Sequence, residues 1–98
     1  MKAVFFITTE NYPGVKNMVY ADDVISRQTI NFRDSKALGF SKDGYYLEID
    51  GSHEAVKRLK ELLGDKAKEV EGKEKENVLK KIKEEEDAAA EGFGNLFG

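Results

Sequence analysis

Five consecutive apolar residues, Ala3-Val4-Phe5-Phe6-Ile7, open the chain immediately after Met1-Lys2. From Lys2 to Thr9 the residues are mostly β-branched or aromatic and show no helical period, so the segment reads as a buried strand. A buried strand needs neighbours for its backbone N–H and C=O groups, and the rest of the chain supplies candidates. Asn11-Tyr12-Pro13-Gly14 is turn chemistry that ends the first strand. Val15, Met18 and Val19 fall at i, i+3, i+4 and predict a short helix over Val15–Ala21. Val24–Arg33 alternates, with Gln28, Ile30 and Phe32 on one face and Arg27, Thr29, Asn31 and Arg33 on the other, as a half-exposed strand does.

Lys42-Asp43-Gly44 lies between Ala37–Phe40 and Tyr45–Ile49 and predicts a hairpin joining them. In the second of these, Tyr45, Leu47 and Ile49 share one face, and Tyr46, Glu48 and Asp50 the other. Ser52 is a good N-cap, with Glu54 near the positive end of the helix that follows. Ala55, Val56, Leu59, Leu62 and Leu63 form its amphipathic stripe, and Gly64 stands where a C′ glycine belongs. Lys66–Glu71 predicts a short edge strand whose lysines discourage edge pairing. A second helix is expected from about Lys73 to Glu91, with Val78, Leu79 and Ile82 all in its first half. The fold class expected is α+β, a small antiparallel or mixed sheet with helices on one face. The first six elements follow the order of the split βαβ, ferredoxin-like motif. Residues 1–72 form the core, and residues 73–98 a charged helix with a Gly/Phe tail, in the same domain or as an extension.

Of the 98 residues, 36% are charged, for a net charge of −3. Lys/Arg and Asp/Glu balance at nine each over residues 1–64, while residues 65–98 hold seven Lys against ten acids. No basic face or stripe is visible, so nucleic acid is not the expected partner. Lys and Glu dominate the charged residues, beside a single Gln and no Cys, the bias found in hyperthermophile proteins; a thermophilic, archaeal source is expected. Without cysteine there is no disulfide, thiolate metal site or thiol nucleophile, which fits a reducing, cytoplasmic setting. The N-terminal apolar run is too short to span a membrane or to be a signal-peptide core.

The one histidine, His53, follows Ser52 and lies near Asp50. Adjacent residues at a helix start point apart, so a cap serine beside an exposed histidine is the expectation, with no catalytic residues. Neither the P-loop nor the dinucleotide fingerprint fits Gly92-Phe93-Gly94, and no cofactor is expected. The acids Asp22, Asp23, Asp43, Asp50 and Glu84-Glu85-Glu86-Asp87 lack the spacing of a calcium loop. No metal ligands are assigned, and a weak Ca²⁺ or Mg²⁺ site on Asp22, Asp23 or Asp43 stays an alternative.

The stretch Glu84-Glu85-Glu86-Asp87-Ala88-Ala89-Ala90-Glu91-Gly92-Phe93-Gly94-Asn95-Leu96-Phe97-Gly98 resembles the C-terminal end of archaeal ribosomal stalk proteins. Those end in an acidic, alanine-containing segment and a glycine-spaced hydrophobic motif. The resemblance covers about the last fifteen residues, and Phe93 stands where the family has leucine. It implies a short helix docking in a groove on translation factors, with Phe93, Leu96 and Phe97 as anchors. Independently of the resemblance, those three residues fall at i, i+3, i+4, the spacing of a helix-in-groove ligand. Each large apolar side chain would forgo about 1.5–3 kcal/mol if left in water. The expectation is a non-enzymatic interaction or assembly module that binds a protein partner through this segment. Packing of the tail on its own core, or on a second subunit of a homo-oligomer, is the alternative.

Overall fold

A computed structural model describes residues 1–97, with side chains placed through Ala88. The elements run β1 (Lys2–Ile7), α1 (Tyr12–Ala21), a 3-10 turn (Ile25–Arg27), β2 (Thr29–Asp34), β3 (Tyr45–Asp50), α2 (His53–Leu63), β4 (Lys68–Val70) and α3 (Gly72–Phe97). The four strands form one sheet in the order β2-β3-β1-β4, and every neighbouring pair is antiparallel. β1 and β2 therefore run parallel with β3 inserted between them, and β3 and β4 run parallel with β1 between. Lys68–Val70 is an edge strand, as its lysines suggested.

Both faces of the sheet are covered. On one, Ala3, Phe5, Ile7, Leu47 and Ile49 meet Val15 and Val19 of α1, Ile25, and Val56, Leu59 and Leu63 of α2. On the other, Val4, Tyr46 and Val70 meet Leu38 and the first half of α3 through Val78 and Ile82. Alternate residues of β1 feed the two cores, so its apolar run is used on both sides. α1 and α2 thus share a face, as expected, and α3 makes a third layer. Among the described residues no helix is long and apolar enough to cross a membrane.

Three local departures have side-chain causes. Val24–Gln28 is not strand: Asp22 Oδ1 accepts from the backbone N–H groups of Val24 and Ile25, both at 3.0 Å, and folds the segment into a turn that buries Ile25. An Asx side chain often offers the backbone this alternative. Ala37–Phe40 is likewise not a strand, and the hairpin partner of β3 is β2. Asp34 Oδ1 takes the N–H groups of Lys36 (2.8 Å) and Ala37 (3.2 Å). Phe40 N then donates to Ser35 O at 3.0 Å, closing a loop that inserts Leu38 into the second core. Finally, α1 begins at Tyr12 rather than Val15, because Pro13 has the φ that a first helical turn requires.

The long edge of the sheet, β2, is blunted. Ser35 N donates to Gly44 O at 2.9 Å. By antiparallel alternation this turns the backbone groups of Ile30, Phe32 and Asp34 outward. Of these, Arg33 Nη1 caps Phe32 O at 3.1 Å and Leu38 N occupies Asp34 O at 3.2 Å.

Candidate functional site

The sheet face under α3 is apolar at the β4 side and polar toward β2. Val4, Glu48 and Asn31 lie side by side across β1, β3 and β2, and Lys2, Asp50 and Thr29 form the next row on the same face. Over the polar end, α3 leaves a cleft of about 610 Å³. Thr29, Asn31, Glu48 and Asp50 line its sheet side, and Leu79 and Ile82 its helix side. Lysines 2, 80 and 83 and the acids Glu86 and Asp87 surround it.

Glu48 is the unusual member. Only 7% of its surface is exposed, whereas glutamates are rarely buried unless paired. Oε1 accepts from Asn31 Nδ2 at 2.9 Å. Among the described residues Oε2 accepts no hydrogen bond, and no cation lies within ion-pairing distance of the carboxylate. The arrangement is a mostly buried glutamate whose free carboxylate oxygen, with an amide beside it, faces a partly apolar cleft.

At the other end of the same face a smaller recess of about 320 Å³ is bounded by Phe40, Tyr46, Lys42 and Glu74. Here the start of α3 is pinned to the sheet. The Tyr46 hydroxyl and Lys42 Nζ both donate to Glu74 Oε2, each at 3.1 Å. Burial, and then the Glu74 carboxylate, push the Tyr46 hydroxyl up to about 12, so it remains a donor at neutral pH. The Lys42 ammonium holds Glu74 below its ordinary value, with the Tyr46 bond acting the same way. The Ser35 hydroxyl, buried beside Tyr46, has no hydrogen-bonded partner of good geometry. This group is a clasp, with the tyrosine locked as a donor rather than poised to ionise.

Phe93, Leu96 and Phe97 fall within the last turns of α3 (Gly72–Phe97); their side chains lie outside the described residues. Every described side chain of α3 beyond Ile82, from Lys83 to Ala88, is exposed. Ser52 acts as the N-cap of α2, its hydroxyl accepting from Ala55 N at 3.1 Å. His53 is exposed beside it, and Asp50 lies on the α3 face of the sheet, away from α2 and beside the Met1 amine.

The acids weighed as metal ligands are dispersed into separate bonds. Asp23 pairs with Arg27 at 3.4 Å and Asp43 with Lys36 at 2.7 Å. Asp22 is saturated: besides the two turn amides, it takes Arg58 Nε at 2.9 Å and Arg58 Nη2 at 2.8 Å, fastening the turn to α2. Among the described residues no three His, Asp or Glu groups converge where a metal could sit. The Arg58 bond, followed by the Ile25 amide, lowers Asp22 from 3.8 to about 2. Since the folded-state value lies below the unfolded one, the ionised carboxylate favours the fold. That stabilisation is fully present above the unfolded value and is lost as pH falls through about 2. Thermal melts from pH 6 down to pH 2 are expected to show a smaller decline for Asp22→Asn than for the wild type. Parallel declines would show that Asp22 does not carry the acid sensitivity.

The cleft was hidden in the sequence because the alternation of Tyr45–Asp50 puts Glu48 on one face with Tyr46 and Asp50 without showing that α3 covers that face. The signal that could have found it is the pair Val4 and Phe6, both apolar on the face Glu48 shares. Comparison of this chain with protein-family models, with curated proteins and with solved structures gives no match.

Proposed function

We infer that the protein is a small, non-enzymatic interaction module of ferredoxin-like connectivity that presents the end of α3 to a protein partner. The observation that carries this reading is where the core stops. Ile82 is the last buried residue described on α3, and the apolar groups of both sheet faces are covered by residues that precede Lys83. Phe93, Leu96 and Phe97, at helical spacing beyond an exposed charged stretch, are the anchors this reading assigns to a partner's apolar groove. The resemblance of this end to stalk-protein tails makes translation factors the first candidates to carry that groove.

A photo-crosslinking residue at Asn95, between the anchors, is expected to trap one partner protein in cell extract. Substituting Phe93→Ser, Leu96→Ser and Phe97→Ser together should abolish the adduct and leave the melting temperature within about 2 °C, as for surface changes. A loss of more than about 5 °C in the triple variant would place the tail in the protein's own core. An adduct formed only with a second copy of the chain would make it a homo-oligomer contact.

A further inference from the structure

We propose that the cleft between the sheet and α3 is a binding site for the primary ammonium group of a small aliphatic amine, received by Glu48. An ammonium carries three donors and no acceptor. The sheet side of the cleft offers three acceptors of matching kind. Glu48 Oε2 takes no hydrogen bond among the described residues, and Asn31 is oriented by donating its Nδ2 to Glu48 Oε1, which leaves its Oδ1 as an acceptor. Thr29 contributes a hydroxyl two residues from Asn31 on the same face. The opposite wall is Leu79 and Ile82, against which an aliphatic chain can rest.

Glu48 is 7% exposed as a residue, with its free Oε2 at the solvent-touching edge of the cleft, and a carboxylate that has lost most of its water favours a compensating cation. Lys2, Lys80 and Lys83 border the cleft, yet none is within ion-pairing distance of Glu48. An exogenous ammonium supplies the missing charge without rearranging the fold. The far end of the ligand meets either Glu86 and Asp87, which suit a second ammonium, or Lys80 and Lys83, which suit a carboxylate. The shared chemistry is the alkylammonium group, and its source is a diamine or an amino acid.

Amide chemical shifts of the full chain, titrated separately with putrescine, γ-aminobutyrate and butyrate at millimolar concentration, test the site. Saturable shifts at residues 29–31, 48–50 and 79–83 are expected with at least one amine and not with butyrate. The more effective amine identifies the far-end chemistry. The isosteric Glu48→Gln variant should melt above the wild type when no amine is present, and its melting temperature should not respond to amine. Absence of shifts with both amines would overturn the proposal, as would equal shifts with butyrate. A Glu48→Gln variant less stable than the wild type would also overturn it, because the bordering lysines would then already neutralise the carboxylate.

Discussion

Replacing Ile82 by alanine is expected to destabilise the fold by about 2–5 kcal/mol, the range for truncating a fully buried aliphatic side chain. Ile82 is 2% exposed and lies against Val4, Tyr46 and Val70 across the second core. A domain of this size commonly has about 5–15 kcal/mol in all. At about 4–8 °C per kcal/mol, the melting temperature should fall by roughly 10 °C or more. Leu62→Ala is the matched control. Leu62 belongs to the α2 stripe by sequence, yet it is 37% exposed, and its truncation should cost less than about 1 kcal/mol. Equal costs for the two would show that α3 does not cover the sheet.

Gly44→Ala is expected to be comparably severe for a different reason. Gly44 has φ +149°, outside the region that residues with a side chain readily occupy. A Cβ there would lie 2.5 Å from Ile7 O and 2.7 Å from the Phe6 ring. The carbonyl belongs to β1, at the centre of the sheet, and cannot retreat without disturbing the strand. Backbone strain alone costs about 1–3 kcal/mol, and the clash adds to it, so about 3 kcal/mol or more should be lost in denaturant unfolding. Gly64→Ala provides the comparison: its φ is +53°, but nothing lies within 4 Å of the added carbon. Its φ is joined to a ψ of −123°, so the expected cost is about 1–3 kcal/mol, that of backbone strain by itself. A Gly44→Ala cost no greater than that of Gly64→Ala would mean that the loop relaxes away from β1.

Where one local cause dominates, the fold was readable from residues. Ser52 and Gly64 bracket α2 because cap chemistry acts within one turn, and the 3.6-residue period of Val56, Leu59 and Leu63 marks the buried side. The α+β class followed from the order of strand and helix patterns alone. What escaped were places where a short-range side-chain bond or a distant element overrides local pattern. Asp22 and Asp34 each bend the backbone away from an otherwise plausible strand, and the alternation over Val24–Gln28 gives no sign of it. Tyr46 and Glu48 share a face by alternation, but only α3, more than twenty residues later, closes over it. Burial of Glu48 is a tertiary fact, and so is the cleft it serves. The tail was the clearest functional signal in the sequence. The structure adds that, among the described residues, the last one buried on α3 is Ile82.

The measurement that bears most directly on that division of α3 is the thermal unfolding of a chain ending at Ala88 beside that of the full chain. With Ile82 the last buried residue described on α3, the two should melt within about 2 °C of each other and with the same cooperativity. A shortened chain that melts more than about 5 °C lower, or loses its cooperative transition, would show that residues 89–98 belong to the core and would contradict their role as a binding element.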